Sequence, residues 1–225
     1  MLRAAILAVT LASLAGCTAI SPTRHSYGRF VPPSANIGKV VATELAFARA
    51  AQEDGQWTAF AEYAADGALL FGRTGAIEAK PWLRTQTDPP AAVKWEPHRV
   101  WSSCDGSLAI TQGGFVDPDG SVGTFNTVWK RQRDGEYRWV FDFGYPQDEA
   151  PKEPEMVQSA IASCREGLSA PQGEPGARVS TSRDGSLAWS FHLVGEGERR
   201  YDVWLATADG WQHVVDLDLP ADGAE

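Results

Sequence analysis

The chain has 225 residues, of which 43% are hydrophobic and 22% charged, and its formal net charge at pH 7 is −9. Nucleic acids and anionic lipid surfaces attract basic proteins, so this charge argues against both as partners of the folded body. The length suits one domain with an appendage, or two small domains.

Residues 1–16 have the pattern of an export signal, because Arg3 precedes an apolar stretch that is too short to span a membrane. The four residues Leu14-Ala15-Gly16-Cys17 resemble a bacterial lipobox. The resemblance implies lipidation of Cys17 and an anchor in the bacterial cell envelope; Thr18 after the cysteine favours the outer membrane, facing the periplasm. A plain secretory signal cut nearby is the alternative. Residues 17–36 are polar and contain prolines, which predicts a tether.

Apolar spacing predicts three helices before residue 90. The first begins at Gly38 and stops at Gly55. The second follows at once, since Trp57, Phe60 and Ala64 recur at helical intervals. A short apolar strand over residues 68–71 and a third helix around residues 81–83 complete this part.

From residue 93 the pattern changes to strands separated by Asp-Gly, a dipeptide that favours tight hairpin turns. Four strands are predicted near residues 93–103, 107–116, 121–132 and 136–144. A connector follows over residues 147–175, with one or two helical turns around residues 156–162. Three strands near residues 187–194, 200–206 and 211–217 then form a C-terminal meander within residues 176–219.

The pentapeptide DGSLA occurs twice, at residues 105–109 and 184–188. Val128-Trp129 follows the first copy and Val203-Trp204 the second. In both copies four residues separate the tryptophan from the next Asp-Gly pair. Either a meander was duplicated, or the two segments have similar residues because both form Asp-Gly turns and similar strand centres. Both interpretations give the two segments the same local structure. The second copy has no helices of its own, so its apolar face must dock on the first domain or on a partner.

Two segments resemble the nuclear transport factor 2-like superfamily, in its SnoaL-like branch: ELAFARAAQEDGQWTAFAEYAADGALLF and GTFNTVWKRQRDGEYRWVFDFG. The resemblance covers residues 38–144. It implies an α+β, cone-shaped domain over residues 37–146, with N-terminal helices packed on a curved antiparallel sheet. In that superfamily the helices and the concave face of the sheet enclose a pocket, and the catalytic residues vary between branches.

Three residues are candidates for acid–base catalysis in such a pocket. Asp142 lies near the end of a strand, where a carboxylate could act as a base, although its counterpart Asp216 in the second copy favours a structural role. Tyr63 on the second helix could point its hydroxyl inward or sit at the rim. His98 faces outward if Trp95 packs on the helices, and inward beside Glu96 in the opposite orientation.

Aromatic residues could line the pocket or simply form its core. The candidate ligand-binding residues are Trp57, Phe60, Tyr63, Trp82, Trp95, Trp101 and Trp129. Cys104 and Cys164 remain as a pair once Cys17 is lipidated, and in an oxidising compartment they form a disulfide or stay as two buried thiols. No metal or cofactor is predicted, because the four histidines are scattered and no phosphate-binding or zinc motif occurs.

The preferred hypothesis is a membrane-anchored envelope lipoprotein, monomeric, whose pocket binds a small, mainly apolar ligand without a reaction. The first alternative is an isomerase, hydratase or hydrolase that uses Asp142 with Tyr63 or His98. The second is a structural or assembly lipoprotein that uses the C-terminal meander as an interaction surface.

Overall fold

A computed structural model describes residues 35–72, 75–164, 169–173, 177–194 and 197–220. All of them belong to one compact unit, Pro32–Glu225. The predicted signal peptide, most of the predicted tether and Cys17, the predicted lipidation site, lie outside the described residues. Within the described part of the chain, no helix has both the length and the apolar character needed to cross a membrane.

Three helices and eleven strands make up the fold, with the bounds that follow. The helices are α1 (Ile37–Glu53), α2 (Gln56–Tyr63) and α3 (Ala79–Leu83). The strands are β1 (Ala64–Gly72), β2 (Gly75–Glu78), β3 (Lys94–Ser102), β4 (Leu108–Val116), β5 (Val122–Arg131), β6 (Tyr137–Gln147), β7 (Gln158–Ile161), β8 (Arg178–Thr181), β9 (Leu187–Val194), β10 (Glu198–Thr207) and β11 (Gly210–Leu219).

The predicted fold class is confirmed: the protein is α+β, with helices packed on a large curved sheet. That first sheet has seven strands in the order β2-β1-β6-β5-β4-β3-β7. It is mixed and not antiparallel as predicted, because β1 pairs parallel to β6 and β7 pairs parallel to β3. The helices lie on one face, called here the helix side; the opposite face is called the outer face.

Local chemistry fixes the helix ends. The Asn36 side chain accepts a hydrogen bond from the Lys39 N–H at 2.9 Å and caps α1. Asp88, distant in sequence, accepts from the Trp57 N–H at 2.6 Å and the Thr58 N–H at 3.1 Å, so it satisfies the first turn of α2. These caps place both helices within a residue or two of their predicted starts.

The connector contains a strand where one or two helical turns were predicted. Residues 158–161 form β7, which lies beside β3 with Arg99 opposite Gln158 and Ser102 opposite Ile161. The helical prediction was wrong because the free edge of β3 offers backbone partners that a short isolated helix lacks.

The C-terminal segment forms a second sheet of four antiparallel strands in the order β11-β10-β9-β8. Three of its strands were predicted; the four-residue β8 was missed. The sheet docks through its apolar face on the outer face of the first sheet, where both contribute to one core. Its buried members are Trp101, Leu108, Ile110, Val128, Phe141, Phe143, Ala162, Leu187, Tyr201, Val203, Leu205, Ala206, Val215 and Leu219.

The two copies of the repeat have matching strand registers. Ala109 lies opposite Trp129 in the first sheet, and Ala188 lies opposite Trp204 in the second. In each sheet the register then shifts by one residue next to these tryptophans. The shift leaves Val140 on β6 and Val214 on β11 unpaired. Strands β3 to β6 therefore correspond to β8 to β11, as both interpretations of the repeat predicted for the meander.

The two DGSLA turns contact each other through reciprocal hydrogen bonds. The Cys104 N–H donates to Ser186 Oγ at 2.9 Å, and the Arg183 N–H donates to Ser107 Oγ at 3.0 Å. Since residue 104 corresponds to residue 183, and 107 to 186, the two bonds are equivalent about a local twofold axis. Cys104 also forms a disulfide with Cys164, which follows β7.

Candidate functional site

Asp142 lies on the helix side of the first sheet. Its neighbours on β6, Phe141 and Phe143, belong to the core between the sheets, so strand alternation turns Asp142 the other way. Thr127, directly opposite on β5, donates its hydroxyl to Asp142 Oδ2 at 2.6 Å. The residue is 8% exposed.

A second acid, Glu44, is fully buried on the same side. It occupies the stripe of α1 that also buries Val40 and Phe47. Three donors surround its carboxylate: Trp95 Nε1 at 2.8 Å, Trp129 Nε1 at 2.8 Å and Thr111 Oγ1 at 2.5 Å. The indole N–H groups can only donate, so Glu44 is the acceptor that lets two tryptophans be buried.

Both acids hold their protons more tightly than exposed carboxyls do. Burial raises the pKa of Asp142 to about 7, and the charge of Glu44 adds to the increase while the hydrogen bond from Thr127 opposes it. Burial also raises the pKa of Glu44, against the effect of its three donors. A carboxyl whose pKa lies near neutrality can give or take a proton at physiological pH.

The three predicted catalytic residues border different clefts or none. The Tyr63 ring stacks on Phe47 at 5.1 Å and borders a cleft of about 410 Å³ between α1, α2 and β6, on the helix side. His98 borders two other clefts, one beside the outer face and one of about 440 Å³ between α1 and strands β3 and β4, and Asp142 lines none of the three. The polar atoms of the three residues therefore do not converge in one described cavity.

His98 is the extra residue of a bulge on β3, between Pro97 and Arg99. The bulge interrupts the alternation on which the prediction for this strand depended. Trp95 and Trp101 are six residues apart, so in a regular strand they would share one face. The bulge separates them: Trp95 lies in the helix-side core and Trp101 in the core between the sheets.

The predicted ligand-binding aromatic residues of the helix side pack on one another. Phe60, Trp95 and Trp129 surround the Phe47 ring, with ring centroids 4.8, 4.9 and 6.0 Å from it. Trp57 packs edge-on against Trp82 at 5.1 Å. These rings and the Glu44 network pack between the helices and the sheet, where the resemblance implied a pocket, and clefts of about 440 and 410 Å³ remain beside them. A ligand role for these residues stays a prediction.

A cleft of about 1070 Å³ opens instead beside the outer face of the first sheet, and it is called here the inter-sheet cleft. The outer face forms its floor, the connector one wall and β11 the other. Its lining is His98, Arg99, Gln112, Gly113, Thr124, Tyr145, Pro151, Lys152, Glu153, Pro154, Glu155, Met156, Val157, Gln158, Val214, Val215, Asp216 and Leu217.

The inter-sheet cleft combines apolar surface with a polar floor. Met156 is 81% exposed and Val157 38% exposed, although both are apolar. Below them, Gln112 donates to the buried Asn126 side chain at 3.0 Å, and Asn126 Nδ2 has no hydrogen-bond partner among the described residues. Exposed apolar side chains beside polar groups such as Gln112 and Thr124 are typical of a binding surface.

The solvent face of the second sheet is a charged network. Arg200 bonds Asp202 at 3.0 Å, Asp216 at 2.7 Å and Asp218 at 2.8 Å. His213 Nε2 lies 2.9 Å from Asp202 Oδ1. Asp202, His213 and Asp216 offer three metal-ligand atoms within 4.8 Å of one another, but the Arg200 guanidinium already bonds both carboxylates. The arrangement suits an ion-pair network better than a cation site.

Comparisons with known proteins add structural neighbours. No family model matches the chain, and no curated protein matches its sequence. A "putative ketosteroid isomerase" from Parabacteroides distasonis has 11% identity and a TM-score of 0.41, covering 52% of this chain and 98% of its own. A "putative ca/calmodulin-dependent kinase II association domain" from Exiguobacterium sibiricum has 15% identity and a TM-score of 0.36, covering 53% and 98%. Both have nuclear transport factor 2-like folds.

Sequence reasoning missed Glu44, Thr111 and Thr127. A signal for Glu44 was present, because an acid four residues after Val40 and three before Phe47 occupies a core position of the helix. Such a residue requires buried donors, and the tryptophans supply them. The threonines carried no signal, since only the pairing of β4, β5 and β6 brings them beside the acids.

Proposed function

We propose that this chain is a bacterial envelope lipoprotein, with a nuclear transport factor 2-like body that binds a mainly apolar ligand in the inter-sheet cleft and catalyses no reaction. Aromatic rings pack on the helix side and leave clefts of about 440 and 410 Å³, smaller than the inter-sheet cleft, so the proposed site moves from that side to the outer face. The observation that carries the proposal is the inter-sheet cleft itself, with Met156 and Val157 exposed beside a polar floor.

Nile red, a neutral apolar dye, tests the cleft with the compact unit Pro32–Glu225. We expect saturable fluorescence enhancement, weakened at least fivefold in affinity by Met156→Arg, which places a charge at the cleft. Leu193→Arg is the matched control, because Leu193 is also exposed, at 48%, and borders none of the clefts described here. Equal binding by both variants would locate the dye elsewhere and refute the proposed site.

The anchor is a separate part of the proposal, supported by the order of Arg3, the apolar stretch and Leu14-Ala15-Gly16-Cys17. Expressed in a bacterium, the full chain should fractionate with the outer membrane and carry acyl groups on Cys17 by mass spectrometry. Cys17→Ser should abolish acylation, whereas Thr18→Ala should retain it. An unacylated wild-type protein, free in the periplasm, would show that the signal is a plain secretory one.

A proton-transfer enzyme is the second candidate, favoured by the near-neutral pKa of Asp142 on the helix side. Its polar set would be Asp142, Thr127 and Glu44, since Tyr63 and His98 lie elsewhere. Isomerisation of a β,γ-unsaturated ketone, followed by absorbance, tests it. Turnover that Asp142→Asn abolishes would favour the enzyme over the binding protein.

A further inference from the structure

The free edge of β11 corresponds to an edge that is occupied in the first sheet. Strand β11 is the counterpart of β6, and both are paired with their preceding strand through one edge. The other edge of β6 pairs with β1 in parallel, Leu69 opposite Phe141 and Leu70 opposite Asp142. Strand β11 ends its sheet, and among the described residues no backbone pairs with its outer edge.

The inter-sheet cleft follows this free edge. Its lining includes four consecutive residues, 214–217: Val214 is the bulge residue, and from Val215 onward the side chains alternate between the two faces of β11. A smaller cleft continues along Gln212–Val214 and is bounded on its other side by β7. Together the two clefts border six residues of β11, which corresponds to a strand length of about 20 Å.

We propose that β11 accepts an extended peptide segment as an added parallel strand, in the way that β6 accepts β1. The inference rests on the proposed binding function and names the ligand class of the same site. Backbone hydrogen bonds to an exposed sheet edge provide affinity in this mode of recognition, and alternate side chains provide specificity.

The bulge at Val214 does not block such pairing. Bulges can protect an edge from strand addition. In the first sheet, however, β6 has the same bulge at Val140, and β1 pairs with it on both sides, Ala64 opposite Trp139 and Leu69 opposite Phe141, with four residues of β1 out of register between the two pairs. The edge of β11 beyond its bulge, from Val215 onward, therefore corresponds to the part of β6 that pairs regularly with Leu69 and Leu70.

The chemistry of the two faces selects the side chains of the peptide. A residue opposite Val215 corresponds to Leu69, which packs against the core between the sheets, so it should be apolar. A residue opposite Asp216 lies on the charged face, where Asp216 and Asp218 each bond Arg200 yet stay 59% and 78% exposed. The lining of the cleft has the acids Glu153, Glu155 and Asp216 against the bases Arg99 and Lys152, so acidic groups predominate. The matching partner is an extended segment of alternating apolar and basic residues.

A fluorescein-labelled seven-residue peptide of alternating leucine and lysine tests the proposal, by fluorescence polarisation with Pro32–Glu225. Two further peptides carry backbone N-methyl groups, one on every leucine and the other on every lysine. Only one set of N–H groups can face β11, so one methylated peptide should bind at least tenfold more weakly while the other keeps its affinity. Met156→Arg should weaken binding at least fivefold, and Leu193→Arg should leave it unchanged.

Each other outcome has a definite meaning. Equal binding by all three peptides would mean side-chain capture alone and would overturn strand addition. Nile red bound in the cleft without any peptide binding would overturn the peptide class and leave the proposed function standing. Binding of neither probe would refute both. A dimer in light scattering that Met156→Arg dissociates would make a second copy the occupant and overturn the proposal.

Discussion

Two buried acids on the helix side set the pH response of this protein at the residue scale. Glu44 has three donors and Asp142 has one, although both are removed from water. Burial disfavours the charged form of a carboxyl, and only hydrogen bonds or positive charges offset it. No cation contacts either acid among the described residues, so Asp142 with its single donor keeps its proton to a pH of about 7.

Asp142→Asn should remove a pH dependence of stability. The folded-state pKa is raised above its ordinary value of 3.8, so the protonated carboxyl favours folding fully below that value, and the contribution disappears as pH rises through about 7. Between pH 5 and pH 8 the wild type should lose about 2–3 kcal/mol relative to the variant. Urea unfolding at both pH values measures the difference.

Asp216→Asn is the matched control for that measurement, because Asp216 occupies the corresponding position on β11 and is 59% exposed. Its effect on the free energy of unfolding should stay within about 0.5 kcal/mol at both pH values. If Asp142→Asn and the wild type had the same pH dependence, the buried carboxyl would be ionised throughout.

At the element scale, the two DGSLA turns form the junction between the sheets. Gly106 and Gly185 adopt the left-handed backbone conformation, with φ of 63° and 68°, which residues with a side chain rarely adopt. The serines after them, Ser107 and Ser186, then point at the opposite turn. The pentapeptide thus provides both the turn and the contact that joins it to its copy.

Ser107→Ala and Ser186→Ala should destabilise the protein by similar amounts. Each substitution leaves one part-buried backbone N–H without its partner, at Arg183 or Cys104, which costs about 1 kcal/mol. Urea unfolding at pH 7 gives both values. Ser159→Ala, at an exposed position on β7, is the control and should change little. A large loss for only one serine would contradict the equivalence of the two contacts.

The disulfide should stabilise the same junction. Cys104 and Cys164 are 60 residues apart, so the bridge closes a long loop in the unfolded chain, and its removal should cost about 4 kcal/mol. Urea unfolding of Cys104→Ser with Cys164→Ser measures the loss. Dithiothreitol should lower the wild type to the level of the double variant and leave the double variant unchanged; no effect on the wild type would mean that the bridge does not form.

At the scale of the whole molecule, the second sheet covers the outer face of the first sheet, which a partner protein would otherwise have to cover. Corresponding residues of the two copies, such as Leu108 and Leu187 or Val128 and Val203, meet in one core. The opposite face of the second sheet differs from its counterpart, because Arg200 and Asp202 replace Phe125 and Thr127. A charged face needs no helices to cover it, so only the apolar face of the second copy needs cover, and within the described part of the chain the first sheet covers it.

The unit Pro32–Glu225 should therefore be a monomer at all concentrations, whereas a chain that stops at residue 175 should self-associate. The shortened chain would expose Ile110, Phe141 and Phe143, which are at most 3% exposed in the intact protein. Light scattering after size-exclusion chromatography measures both. A shortened chain that stays monomeric and soluble would mean that the outer face does not need its cover.

Patterns that are local in sequence were sufficient for much of the fold. Helical spacing and the Asp-Gly pairs located α1, α2 and the hairpin strands within a few residues, since periodicity and turn chemistry act over neighbouring positions. The same patterns missed the bulge at His98, because no residue type in the strand indicates a bulge. They also missed the strand β7, which forms because β3 has a free edge.

The sequence by itself determined the α+β class, the repeat and the need of the second meander for a surface to cover its apolar face. Only the tertiary structure decided which surface that is, and that rings and Glu44 pack on the helix side, beside smaller clefts, where a pocket was expected. It also decided that the inter-sheet cleft runs beside the unpaired β11. The physical reason is the separation along the sequence of the residues that interact. Periodicity and turns depend on adjacent residues, whereas cavities, buried acids and free edges depend on which distant segments meet.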